Sequence, residues 1–171
     1  FLFLFSFKKT VTILAIIPAA GKGSRLNIKK PKIMVRVGRK LIIDILIEKI
    51  QHLVEKIIFV VNPKYAQQIS NYLKKKYKNK LNFKIINQSV PRGMADAIFQ
   101  TRQNWKNYDK ILFLWGDHIG VSEQTIQKLI RLSLPNKSFA LPLVKKSKLY
   151  VEYFFSKSKL IKISESREGD Q

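Results

Sequence analysis

Four apolar runs rich in β-branched residues punctuate the chain: Val11–Ile17, Lys56–Val61, Phe83–Asn87 and Ile111–Trp115. The first is uninterrupted, with the length and composition of a strand buried on both faces. The second is closed by Asn62-Pro63, a turn signal. Between the runs, apolar residues recur at helical spacing. Arg39-Lys40 lead into a helix from about Leu41 to Val54, with Ile42, Leu46, Ile50 and Leu53 on one stripe. A basic amphipathic helix follows over Lys64–Tyr77, placing Ile69, Tyr72 and Leu73 inward. The segment Gln88–Ala97 opens another helix reaching about Gln103, and Ser122 can cap one whose inner stripe is Ile126, Leu129 and Ile130. Further strands are expected at Phe139–Val144, Tyr150–Phe155 and Leu160–Ser164, the last two as a hairpin around Ser156-Lys157-Ser158-Lys159. No internal repeat is visible. Strands alternating with helices predict a three-layer α/β fold, a mainly parallel sheet with helices on both faces. Ligands of such sheets sit at the carboxyl ends of the strands.

Composition narrows the picture. The chain has 171 residues, 46% of them apolar, about one domain with a substantial core. It has no cysteine, which removes disulfide and thiolate chemistry and suits a reducing, cytoplasmic compartment. A formal net charge of +22 makes polyanions plausible partners, although Lys74-Lys75-Lys76 and Lys145-Lys146 read as solvated faces. Phe1–Phe7 is apolar but too short to cross a bilayer, and no longer span occurs elsewhere. Lys8-Lys9 follow that run instead of preceding it, the wrong order for a secretory signal. Residues 1–10 therefore read as an apolar and basic stub, and 11–171 as the domain, with no initiator Met to mark a natural start.

The stretch richest in chemistry follows the first run. It reads Pro18-Ala19-Ala20-Gly21-Lys22-Gly23-Ser24-Arg25-Leu26, with Pro31-Lys32 a few residues on. Small residues at a strand's end let backbone N–H groups approach a ligand, and Lys22, Arg25 and Lys32 arm the turn for a polyphosphate. The Walker loop does not fit, since Gly23 is followed by Ser24. The dinucleotide fingerprint does not fit either, because Leu26 occupies its third glycine. A second motif, Gly116-Asp117, ends the fourth run. A carboxylate leaving a buried strand there is well placed to hold Mg²⁺ against phosphate oxygens. His52, on a helix, and His118, beside Asp117, read as structural. Two histidines without nucleophile partners support no competing triad.

The first loop resembles the signature L-x-A-G-x-G-[ST]-R-[LM] … P-K of the sugar-1-phosphate nucleotidylyltransferases, the NDP-sugar pyrophosphorylase type that includes N-acetylglucosamine-1-phosphate uridylyltransferase domains. The resemblance covers about Thr12–Gln171. It implies the nucleotide-diphospho-sugar transferase fold and a Mg²⁺-dependent transfer of a nucleotidyl group from an NTP to a sugar 1-phosphate, releasing pyrophosphate. Arg25 and Lys32 would then be catalytic. Pro18, Ala19, Ala20, Gly21, Lys22 and Gly23 would bind the nucleotide, and Asp117 would be the metal ligand. Gln88-Ser89-Val90-Pro91-Arg92-Gly93-Met94 resembles the family's base-reading Q-x-x-x-x-G-[TLM], which places Gln88, Gly93 and Met94 against the nucleobase. Glu165 resembles the strand-end Glu that contacts sugar hydroxyls. Uridylyltransferase relatives carry Y-G-[RV] before this hairpin; Tyr150-Val151-Glu152 stands here and weighs against an N-acetylglucosamine-type sugar. Such domains usually run some tens of residues further and supply a second Mg²⁺ ligand there, so the domain is expected to be C-terminally incomplete.

The base, the sugar and the oligomeric state stay open. Rival readings are a degenerate domain that binds nucleotide for regulation and a nucleotidyltransferase with a non-sugar phosphate acceptor. A nucleic-acid-binding module, resting on charge alone, would bind DNA or RNA with strong salt dependence. The favoured reading has no specific nucleic-acid partner and no membrane span.

Overall fold

The computed structural model describes residues 11–21, 30–90, 92–133, 140, 151–157 and 159–165, with Asn79, Val151 and Glu165 described by their backbone alone. The chain divides into two compact units, residues 1–140 and 141–171.

In the first unit the apolar runs become four parallel strands: β1 (Ile13–Pro18), β4 (Lys56–Val61), β5 (Phe83–Asn87) and β6 (Lys110–Phe113), in the order β5-β4-β1-β6. The second and third runs form strands with the bounds read from sequence. In β1, residues 13–17 are all buried, as a central strand between two neighbours requires. The strand begins two residues later than the apolar run because Thr12 is tied to Asp109, its N–H and Oγ1 each 2.9 Å from Asp109 Oδ2. Val11 is left exposed.

Residues of β1 alternate between two cores, the period-2 consequence of a pleated strand. Ala15 and Ile17 join Ile57, Phe59 and Val61 against α1 (Ile42–Ile50), α2 (Pro63–Tyr77) and α4 (Glu123–Leu132). Leu14 and Ile16 join Ile58 and Val60 on the other face, against Ala97 of α3 (Met94–Phe99) and the flanking Trp105 and Tyr108. Helices on both faces make the three layers expected. Asn62 caps α2 by accepting from the Lys64 N–H at 3.0 Å, with Pro63 at the first helical position. Ser122 caps α4 by accepting from the Thr125 N–H at 3.1 Å.

One element was not anticipated, and two readings need correction. Residues Arg36–Leu41 form a two-residue hairpin, β2 (Arg36–Val37) with β3 (Lys40–Leu41), turned at Gly38 with φ +59°. Helix α1 stops at Ile50, and Leu53 closes a turn onto the Ile50 carbonyl while still packing on the core. The helix expected to reach Gln103 is the six-residue α3 followed by a 3-10 segment, Arg102–Asn107. Its break lies at the buried Thr101, whose hydroxyl donates to the Ile98 carbonyl (2.7 Å) and accepts from Trp105 Nε1 (2.7 Å). That side-chain bonding competes with continuation of the helix.

The second unit contains the expected hairpin, β7 (Val151–Ser156) antiparallel to β8 (Lys159–Glu165), irregular between Phe154 and Phe155. The strand anticipated at Phe139–Val144 lies outside the described residues, apart from Ala140.

Candidate active site

The order β5-β4-β1-β6 reverses direction between β1 and β6, and a crevice opens at the carboxyl ends of strands where such a reversal occurs. Both chemical motifs leave the sheet there. Pro18, which ends β1, has no N–H to donate, but its carbonyl accepts from Gly116 N–H at 3.3 Å. Ala19 N–H donates to the Val60 carbonyl at 2.7 Å, so the backbone of Pro18–Ala19 is held from both neighbouring strands. Ala20 is buried and Gly21 exposed as the chain turns outward. The rest of the predicted cradle, Lys22, Gly23 and Arg25, lies outside the described residues.

Gly116 is closely packed, and a side chain there would crowd its neighbours. A Cβ there would stand 3.0 Å from Ile33 Cγ2, 3.1 Å from the Pro18 carbonyl oxygen and 3.3 Å from Ala19 Cβ. The glycine thus lets the segment after β6 lie directly on the end of β1. The next residue, Asp117, meets Lys32, which sits on a 3-10 turn (Lys32–Met34) between buried Pro31 and buried Ile33. Lys32 Nζ donates to Asp117 Oδ2. Both side chains stay about two-fifths exposed, so the pair is open to a ligand. Burial pushes the Asp117 carboxyl up, but the Lys32 ammonium, with a smaller contribution from His118, outweighs it and holds the pKa below its ordinary 3.8.

The segment carrying Asp117 is also held from α1. Lys49 donates to the carbonyls of Ile119 and Val121, and Ile119 N–H donates to the Asp117 carbonyl at 2.8 Å. His52, expected on a helix, lies in the turn after α1, with Nε2 2.9 Å from Glu123 Oε1 at the start of α4. His118 stacks obliquely on Trp115, with ring centroids 4.6 Å apart. Nothing in the spacing of α1 singled out Lys49, since a basic residue in a helix's last turn is ordinary.

At the end of β5, Gln88 N–H donates to the Val61 carbonyl at 2.8 Å and the side chain is buried. Its Nε2 donates to the Gly93 carbonyl (3.1 Å) and to Asp96 Oδ2 (2.7 Å). Gly93 adopts φ +93°, ψ −179°, a conformation that needs glycine, and Met94 beside it is exposed. The structure therefore brings Lys32 to Asp117 and Gln88 to Gly93. Asp96 was missed as a partner of Gln88, because a contact eight positions away across a turn leaves no periodic signal. Glu165 ends β8 in the other unit, and its side chain lies outside the description.

A doubly wound sheet with a lysine and a carboxylate paired at its reversal point defines the nucleotide-binding α/β class. The chain belongs to the nucleotidyl transferase family, whose profile matches residues 14–147. It is 34% identical over 161 residues to the bifunctional protein GlmU of Buchnera aphidicola subsp. Baizongia pistaciae, covering 92% of this chain and 34% of that protein. It is 33% identical over 117 residues to GlmU of Thermodesulfovibrio yellowstonii, covering 68% of this chain and 25% of that protein. The chain thus spans about a third or less of the length of these relatives. A Bacillus anthracis structure assigned as a glucose-1-phosphate thymidylyltransferase superposes with a TM-score of 0.67 at 17% identity, over 91% of this chain and 65% of that one. The 4-diphosphocytidyl-2C-methyl-D-erythritol synthase of Anaerococcus prevotii superposes with a TM-score of 0.56 at 22% identity, over 71% and 50%. Both structural likenesses bear on the fold alone.

Proposed function

We propose that this domain transfers a nucleotidyl group from an NTP to a sugar 1-phosphate, forming an NDP-sugar and releasing pyrophosphate. The observation that carries the reading is the meeting of Lys32 with Asp117 at the β1/β6 reversal, in a chain of the nucleotidyl transferase family. A phosphate oxygen of the acceptor attacks the α-phosphorus in line, and the bond to the β-phosphate bridging oxygen breaks. Such a displacement asks the protein for positioning and charge neutralisation more than covalent help.

In this reading Pro18–Gly23 cradle the triphosphate, and Arg25 grips the β/γ-phosphates as they leave. Lys32 turns from Asp117 to screen the α-phosphate from the attacking phosphate. Gln88, Gly93 and Met94 receive the base, and Glu165 the sugar hydroxyls. The donor set suits Mg²⁺: a half-exposed carboxylate supplies hard oxygen, and Mg²⁺ binds through one or two carboxylates plus substrate phosphates. Among the described residues no cluster of three or more His, Asp or Glu could form an all-protein metal cage. When bound at Asp117, Mg²⁺ would supply charge stabilisation to the phosphates. Among the described residues no helix is long and apolar enough to cross a membrane. We place the reaction in the cytoplasm, where NTPs are available and a chain without cysteine is at home.

The test is pyrophosphate exchange into NTP from a set of NDP-sugars, with and without Mg²⁺. Mg²⁺-dependent exchange with at least one NDP-sugar is expected. Tight NTP binding without exchange would instead indicate a domain that binds nucleotide for regulation.

A further inference from the structure

We propose that Asp96 is a specificity-determining residue: it fixes the side-chain amide of Gln88 with its oxygen left for a ligand, so that the base subsite offers a hydrogen-bond acceptor at this point. The proposal rests on the reading of the crevice as a nucleotide site and extends it to base selection.

The Gln88 amide nitrogen carries two hydrogens, and both are used. One goes to the Gly93 carbonyl at 3.1 Å, the other to Asp96 Oδ2 at 2.7 Å. Both partners are acceptors only, a carbonyl and a carboxylate. Turning the amide over would aim Oε1 at two oxygens at once, so the chemistry of the partners dictates the orientation. Asp96 Oδ2 is itself steadied by Gln100 Nε2 at 2.8 Å. The Gln88 backbone is anchored to Val61, and the residue is only 3% exposed, so the side chain has little room to choose another rotamer.

What remains is Oε1. It has no hydrogen-bond partner among the described residues, and none of their buried side-chain nitrogens or oxygens is left unpartnered. This oxygen is therefore not sealed from solvent, and it is the atom the amide has left to offer a ligand. A base that presents an N–H to it gains a hydrogen bond, whereas a ring nitrogen or keto oxygen in the same place sets lone pairs against lone pairs. Without the Asp96 carboxylate, one of the two constraints on the amide is gone, and the opposite polarity becomes accessible. The expected consequence is relaxed discrimination, not lost binding.

The experiment measures dissociation constants for the four Mg-NTPs by titration calorimetry without acceptor, so that no turnover intervenes. Wild type should prefer one NTP. Asp96→Ala should shrink the ratio between best and worst NTP by about tenfold, the fold-change of one hydrogen bond. Asp96→Asn, which keeps an acceptor oxygen for the Gln88 N–H, should retain most of that ratio. Asp96→Leu, close in shape to the native side chain but without an acceptor, reads the same ratio should the alanine variant fold poorly. An unchanged ratio in Asp96→Ala or Asp96→Leu overturns the proposal, including the case in which all four affinities fall equally, the mark of a merely structural role. Failure of the wild type to bind any NTP would instead overturn the nucleotide-site reading itself.

Discussion

Lys32 and Asp117 form an ion pair across 85 positions of sequence, joining the 3-10 turn Lys32–Met34 to the segment that follows β6. A half-exposed pair of this kind adds little to stability, about 1 kcal/mol at most. In the proposed transfer its position at the sheet's reversal point gives it another use. Lys32→Ala should lower kcat by about 100-fold or more, the scale of losing one charge stabiliser, while the urea midpoint hardly moves. A near-native rate in that variant would count against the mechanism.

Asp117→Asn removes the carboxylate while keeping the shape of the side chain. Exchange activity should be lost, and with it the thermal stabilisation that Mg²⁺ adds to bound NTP. Measuring melting temperature with NTP alone and with Mg-NTP separates this from a folding defect. A Mg²⁺ increment equal to that of wild type would remove Asp117 from the metal site.

Gly116→Ala tests the close approach of the two strand ends. The added methyl would stand 3.1 Å from the Pro18 carbonyl oxygen and 3.0 Å from Ile33 Cγ2, so these closely packed neighbours must give way slightly to admit it. A cost of about 1–3 kcal/mol is expected from overpacking, read by chemical denaturation. Activity should fall further than stability alone explains, because the shift separates Asp117 from Lys32.

Lys49→Met should loosen the segment after Asp117 without touching the site directly. The loss of an ammonium shared by two carbonyls is expected to cost about 1.5–3 kcal/mol. Faster amide hydrogen exchange confined to residues 117–121 would identify the cause, and unchanged protection there would contradict it.

Asp44 carries a pH-dependent part of the stability. It is buried on α1 and accepts from Tyr72 Oη (2.6 Å) and Tyr77 Oη (2.8 Å), with Lys76 Nζ at 2.6 Å, all on α2. Burial pushes its pKa up, but the bonds from Lys76, Tyr72 and Tyr77 outweigh that and bring it below the ordinary 3.8. Burial and Asp44 together raise Tyr77, which keeps its proton to donate. Because the folded pKa is depressed, the stabilisation is fully present above the unfolded value and fades as pH falls through the folded one. Asp44→Asn should cost about 1–3 kcal/mol at neutral pH, with the gap to wild type closing below about pH 4. A gap independent of pH would refute the assignment.

Much of this protein was legible before its structure. Local composition decides a central strand, so the runs at 56–61 and 83–87 gave β4 and β5 with the same bounds. Caps are equally local, hence Ser122, whereas Asn62, legible only as a turn signal, proved to cap α2 as well. The glycine-rich turn, Gly116-Asp117 and the Gln88–Gly93 spacing carried the resemblance to the family that the match over residues 14–147 shows, because residue types at fixed short spacings are written in the chain itself. Tertiary structure alone decided the rest. The helix after Gly93 breaks at Thr101 because that hydroxyl meets Trp105, a contact no propensity contains. Lys32 reaches Asp117 because β6 lies beside β1, and strand order is a property of the whole sheet's packing. Asp96 orients Gln88, and Lys49 holds the segment after Asp117, through bonds between side chains and partners that folding brings together. One-dimensional periodicity records which face a residue takes, but not which partner it finds there.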